Sequence, residues 1–264
     1  MGVMRPVIIT ANWKMNTSPA DAGPLAADIA KATDVAGVTR IICPPYVALA
    51  PVKDALAGTD VAVGAQNVHA EAKGAYTGEI SASMLAGLVS WCIVGHSERR
   101  RDQFESDALI GAKIVRLVEA GISPMLCCGE QLDEREAGSA VETVQAQVRA
   151  ALDVVMASGQ GLPSDLVIAY EPVWALGTGR TASGADAAEM ADAIRATVAG
   201  IAGAEFAEAM PVLYGGSVTA DSFGEFINEP AIDGALIGGA SLKPDQMAGI
   251  AATAAEAAAG RAGA

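Results

Sequence analysis

Ala169-Tyr170-Glu171-Pro172-Val173-Trp174-Ala175-Leu176-Gly177-Thr178-Gly179-Arg180-Thr181-Ala182 begins as an apolar run, ends that run in one carboxylate, and continues into a stiffened, glycine-bearing loop. Pro172 fixes a backbone torsion directly after the acid, while Gly177 and Gly179 open conformations closed to other residues. The stretch therefore reads as a buried strand that presents Glu171 at its carboxyl end, with a cover running from Pro172 to Ala182. A base and the lid that shields it from water are then neighbours in sequence.

The same layout recurs outward from this stretch. Ala11-Asn12-Trp13-Lys14-Met15-Asn16, Val94-Gly95-His96-Ser97-Glu98-Arg99-Arg100, Tyr214-Gly215-Gly216-Ser217 and Ile237-Gly238-Gly239-Ala240-Ser241 are also apolar runs that end in polar or glycine residues. In all, eight short β-branched or apolar runs are visible: Val7 to Thr10, Arg40 to Cys43, Val61 to Ala65, Trp91 to Val94, Pro124 to Cys127, Leu166 to Tyr170, Val212 to Tyr214 and Ala235 to Ile237. A helical candidate follows each. The clearest places Ile110, Ile114, Leu117 and Val118 on one face, with Ser106 or Asp107 as cap and Gly121 beyond its end. The next does so with Val141, Val144, Val148, Leu152 and Val155, after an acidic stretch from Asp133 to Glu136 that reads as a solvated helical turn.

Strand then helix, eight times, without a linker long enough to divide the chain, predicts a closed (β/α)8 barrel, one domain over residues 1–264. Its length of 264 residues fits, since such barrels use roughly 250 residues as a unit. A doubly wound sheet would want a glycine-rich turn after the first strand, where this chain has Asn12 and Lys14. Hydrophobic residues make up 52% and aromatics only 4%, as expected of aliphatic parallel strands under helices. The alanine-rich segment 251–264 is expected to finish a helix and then fray.

The net charge of -14, from 17 basic and 31 acidic residues, argues against nucleic acid or an anionic membrane as partner. Cys43, Cys92, Cys127 and Cys128 lack zinc-ligand spacing, and the adjacent pair is badly placed for a mutual disulfide. A reduced, cytoplasmic chain is the simplest expectation, with no targeting or membrane-spanning run in the sequence.

In a barrel all carboxyl strand ends face one rim, so Asn12, Lys14, His96, Glu171 and the glycine pairs are expected to converge. Of the two histidines, His96 stands at a strand end and is the candidate electrophile; His69 stands in a loop and reads as a hydrogen-bonded structural residue. Lys14 supplies local positive charge in an acidic chain. The glycine pairs, with Ser217 and Ser241 beside them, offer backbone N–H groups to a phosphate.

These five segments, in their order along residues 7 to 245, resemble the triosephosphate isomerase family. The resemblance implies interconversion of dihydroxyacetone phosphate and D-glyceraldehyde 3-phosphate through an enediolate, within glycolysis and gluconeogenesis, with neither metal nor organic cofactor. It implies Glu171 as general base, His96 as electrophile, Lys14 as electrostatic stabiliser, Asn12 as substrate partner, Glu98 as a further member of the catalytic set, and Gly177, Ser217, Gly238 and Gly239 as phosphate holders. The lid would comprise Pro172, Val173, Trp174, Ala175, Leu176, Gly177, Thr178, Gly179, Arg180, Thr181 and Ala182.

The long polar segment from Gln66 to Glu79 exceeds a minimal barrel turn. In the family this loop docks into a twin subunit, which places Thr77 near the partner's Asn12 and Glu98, lets Glu79 pair with Arg99, and makes Thr77, Gly78, Glu79 and Arg99 interface residues of a homodimer. A solvated loop is the plain alternative. Two departures from the family stand out: Arg180 replaces the usual lysine that ends the lid, and Gln103-Phe104-Glu105 replaces the usual Phe-Gly-Glu. The competing readings are a non-catalytic phosphate-binding barrel and an isomerase of another phosphosugar; the intact base, electrophile and cation weigh against the first and the compact lid against the second.

Overall fold

A computed structural model describes residues 4–175 and 180–263. Eight strands, β1 (Val7–Asn12), β2 (Val38–Cys43), β3 (Ala62–Ala65), β4 (Trp91–Val94), β5 (Ser123–Cys128), β6 (Val167–Tyr170), β7 (Val212–Tyr214) and β8 (Gly234–Ile237), pair in sequence order as a closed barrel. Every pairing is parallel, and β1 closes the ring on β8 with Ile8 opposite Gly234. Gly234 is required at this seam, because its φ is 148° and a Cβ there would clash with the Ile8 carbonyl oxygen. The eight runs read from the sequence are these strands, and β1 continues to Asn12, past the expected end at Thr10.

Alternation along the strands divides the core. Ile8, Ile41, Ile93, Met125, Val167, Leu213 and Leu236 form one cluster, while their neighbours Val7, Ile9, Ile42, Val94, Leu126, Ile168 and Ile237 join a second, larger one with helix residues. A period of two on a closed parallel sheet sends the first set into the barrel and the second beneath the surrounding helices. The helices are α1 (Pro19–Ala32), α2 (Leu49–Ala55), α3 (Ala82–Leu85), α4 (Ser97–Asp102), α5 (Asp107–Glu119), α6 (Leu132–Glu136), α7 (Ala140–Ala157), α8 (Gly184–Ala202), α9 (Ala204–Ala209), α10 (Phe223–Ile227) and α11 (Pro244–Ala262).

Helix α5 starts where its cap directs: the Ser106 side chain accepts from the Leu109 N–H, satisfying one of the N–H groups a helix start leaves free. Ile110, Ile114 and Leu117 are fully buried, as are Val144, Val148, Leu152 and Val155 of α7, whereas Val118 and Val141 lie at the edges of their stripes. The clearest difference from the regular strand–helix alternation follows β3, where the polar loop leads only to the four-residue α3. Helix α11 continues to Ala262 and is tied by Arg261, which donates to Asp233 and to the Ile232 carbonyl.

All four cysteines are buried free thiols, and burial pushes Cys128 up to about 12. No helix among the described residues is long and apolar enough to cross a membrane.

Candidate active site

The carboxyl ends of β1, β4, β6, β7 and β8 converge on a cavity of about 500 Å³ lined by Asn12, Lys14, His96, Glu171, the Gly215–Ser217 turn and Gly238–Gly239. Five segments scattered over the sequence are thus brought to one rim. Leu176, Gly177, Thr178 and Gly179, the centre of the expected lid, lie outside the described residues.

Glu171 is 1% exposed and follows β6 directly. Its backbone is pinned, with its N–H donating to the Cys128 carbonyl at 2.8 Å and the Gly215 N–H donating to the Tyr170 carbonyl at 2.7 Å. The carboxylate accepts from the Ser97 N–H and the Ser97 hydroxyl, both at 2.9 Å, and lies 3.1 Å from His96 Nε2. It is parked against the start of α4 by three donors, which suits an acceptor-only carboxylate. Gly215 leaves it room, since a Cβ there would stand 2.9 Å from Glu171 Cγ. A fixed backbone with space beside the side chain allows the carboxylate to reach other positions by side-chain rotation alone.

His96 caps α4, and its Nδ1 accepts from the Glu98 N–H at 3.3 Å. An acceptor at Nδ1 puts the proton on Nε2 and makes the ring neutral. Nε2–H therefore faces the cavity and Glu171. Lys14 has a left-handed backbone, φ 53°, and its ammonium donates to Glu98 at 2.7 Å. Partial burial alone would raise the Glu98 carboxyl, but this hydrogen bond and the Lys14 charge outweigh it and hold the group below its ordinary range. The Lys14 amine also stands beside the Gly238–Gly239 turn, 3.9 Å from where a Gly238 Cβ would be. Asn12 is 5% exposed, and its side-chain oxygen accepts from the Lys14 N–H at 3.0 Å.

Ser217 is exposed at the cavity edge, and Gly239 opens a single 3-10 turn, Gly239–Leu242. The Ser241 hydroxyl donates to the Gly238 carbonyl at 2.6 Å, fixing the turn that presents the glycine N–H groups. Of the residues expected to form the lid, Pro172, Trp174 and Ala175 are buried and Val173 is half-buried, whereas Arg180 and Thr181 are exposed and Ala182 is buried. Arg135 lies over the Trp174 ring at 4.4 Å and donates to buried Glu130, which also accepts from Tyr170; burial raises the Glu130 carboxyl. The acidic stretch from Asp133 to Glu136 is thus not purely a solvated face, because Arg135 within it braces the Val173–Ala175 turn.

The whole length of the barrel carries the same likeness as its rim. A family model described as Triosephosphate isomerase matches residues 7–254. This chain belongs to the triosephosphate isomerase family. A relative of that name from Carboxydothermus hydrogenoformans is 45% identical over 249 residues, 94% of this chain and 98% of the relative. Another, from Thermus thermophilus, is 45% identical over 241 residues, covering 91% and 95% of the two chains. A third, from Nocardia farcinica, is 45% identical over 261 residues, covering 95% and 97%. The protein is an isomerase that interconverts dihydroxyacetone phosphate and D-glyceraldehyde 3-phosphate, a step of glycolysis.

The loop from residue 67 to residue 79 is tied at its base, where the His69 N–H donates to the Ile80 carbonyl and Arg116 donates to the Ala70 carbonyl. His69 itself accepts from the Glu71 N–H and packs on Tyr76 at 4.4 Å, a structural role. Thr77, Gly78 and Glu79 are exposed. Arg99 is engaged within the chain by Glu105 at 2.6 Å. Phe104 is left-handed, φ 55°, and 86% exposed, at the position where the family pattern has glycine. Three roles at the site have no local signal in the sequence: Ser97 as the resting partner of Glu171, Gly215 as its clearance, and Gln66 beside Lys14. Only a placement of the β3 end against the β1 end reveals the last.

Proposed function

We propose that Glu171 removes a proton from the carbon beside the substrate carbonyl and returns it to the adjacent carbon. The electron pair of the broken C–H bond becomes the new C=C bond while the carbonyl π pair moves onto oxygen, giving an enediolate; that oxygen takes a proton from His96 Nε2, the neighbouring hydroxyl returns one to the same nitrogen, and protonation of the former carbonyl carbon leaves the new carbonyl on its neighbour. The His96 Nε2–H and the Lys14 ammonium face that oxygen and stabilise its charge without the reorganisation that water would require. Asn12 orients substrate, Glu98 holds the Lys14 amine until substrate arrives, and backbone N–H groups at Gly177, Ser217, Gly238 and Gly239 hold the phosphate. The lid from Pro172 to Ala182 excludes water and keeps the enediolate from expelling phosphate. The observation carrying this reading is the placement of buried Glu171 beside the protonated nitrogen of His96, in one cavity with Lys14 and the glycine turns.

The working form we infer is a cytoplasmic homodimer built on one barrel domain. Its support is the exposed Thr77–Glu79 tip and a second cavity of about 240 Å³ behind the site, lined by Asn12, Lys14, Gln66, His96, Glu98 and Arg99. The tip of a second copy fills it. Proton transfer predicts deuterium from D2O in the isomerised product, and complete retention of substrate hydrogen would overturn it in favour of a hydride shift. Shortening the 67–79 loop is expected to give a folded monomer of reduced activity, checked by light scattering with kinetics; a fully active monomer would show that the second copy is dispensable.

A further inference from the structure

Lys14 holds its amine at the centre of the site from a backbone conformation that a side-chain-bearing residue rarely adopts, φ 53°. Such a conformation persists only where surrounding groups over-determine it. The groups that do so come from three strand ends. The Asn12 side chain accepts the Lys14 N–H at 3.0 Å. On the other side of the residue, the Gln66 carboxamide nitrogen donates at 2.9 Å to the Lys14 carbonyl and at 2.9 Å to the Cys43 carbonyl. Cys43 in turn accepts from the Trp13 N–H at 3.1 Å, and the Asn16 side chain donates to the Trp13 carbonyl at 2.6 Å.

We propose that Gln66 is a positioning residue for the reaction: its two amide hydrogens lock the strained Lys14 turn to the ends of β2 and β3, and so aim the ammonium at the substrate. The chemistry needs a primary carboxamide here. Each hydrogen has one carbonyl acceptor, so a carboxylate would oppose both carbonyls, a methionine of similar length would leave both without this donor, and an asparagine would fall a methylene short. Releasing the clamp lets the turn relax towards ordinary backbone, and a cation displaced by even an ångström loses much of its effect on a developing charge. This inference rests on the role given to Lys14 above.

The test is a double-mutant cycle of Gln66→Met and Lys14→Gln. It reads kcat and KM in a coupled isomerase assay, and competitive inhibition by inorganic phosphate. Lys14→Gln alone is expected to lower kcat/KM by roughly 10²-fold or more. Gln66→Met is expected to lower it by about tenfold in the otherwise unaltered enzyme, with weaker phosphate inhibition, and by less than about twofold when Lys14 is already gone. Gln66→Asn should fall between the parent and Gln66→Met, and serves in its place should the methionine variant not fold. The same factor in both backgrounds, or parental kinetics in Gln66→Met, overturns the clamp while leaving the role of Lys14 intact. Full activity in Lys14→Gln overturns both.

Discussion

The two ends of the barrel handle buried charge in opposite ways. At the floor, Asp233 is fully buried and saturated: Arg5, Arg195 and Arg261 all donate to its carboxylate, and so does the Val212 N–H. At the rim, Glu171 is just as buried, yet its three donors all come from two adjacent residues, His96 and Ser97, and an open cavity lies beside it. The floor carboxylate joins the chain's start, α8, the β7 edge and the end of α11 in one hub. The rim carboxylate joins the end of β6 only to the start of α4, and Lys14, on the same cavity, carries strained backbone. Charge at the floor holds the barrel together, and charge at the rim is kept available.

Breaking the floor should therefore cost stability, and breaking the rim should cost turnover. Asp233→Ala strips three arginines of a shared buried partner and is expected to destabilise the protein by about 3–5 kcal/mol. The measurement is chemical denaturation, with kcat per folded molecule unchanged; a loss under about 1 kcal/mol would mean that the hub is dispensable to the fold. His96→Gln should lower kcat by roughly 10²-fold, since an amide matches neither the position nor the acidity of the imidazole. Its melting temperature should stay within a few degrees, and an unchanged catalytic constant would remove His96 from the mechanism.

The smallest expected effect sharpens the comparison between useful and idle strain. Phe104 shares the left-handed backbone of Lys14 but is 86% exposed and aims nothing at the cavity. Phe104→Gly should stabilise the folded chain by roughly 0.5–1 kcal/mol, the relief of positive φ partly offset by a freer unfolded chain. Thermal unfolding of the two proteins decides it, and a clear destabilisation would show that the phenyl ring is packed in the working assembly.

Repetition made the barrel legible, because eight apolar runs are each followed by a helical candidate, and the three-to-four spacing of Ile110, Ile114 and Leu117 points to one helix face. The rim residues were legible for a related reason, since Asn12, Lys14, His96 and Glu171 each stand where an apolar run stops. The departures are long-range. Nothing local to Arg261 announces Asp233, and nothing local to Gln66 announces the Lys14 carbonyl, because both contacts exist only once segments distant in sequence meet in the closed barrel. Arg135 belongs to the same class: within an acidic stretch it reads as surface, and only the fold sets it over Trp174. The truncated α3 has a different cause, a loop whose polar length competes with the helix that the barrel repeat would supply.

The central claim is that Glu171 is the proton-transferring base and contributes little to holding the fold. Replacing it with aspartate shortens the side chain by one methylene and withdraws the carboxylate from its proton while keeping the charge. Steady-state kinetics on Glu171→Asp, with inorganic phosphate inhibition and thermal unfolding on the same sample, measures all three consequences. We expect kcat to fall by roughly 10²–10⁴-fold, with phosphate inhibition and melting temperature close to the parent. Turnover within a factor of about two of the parent, in a folded protein that still binds phosphate, would contradict the account.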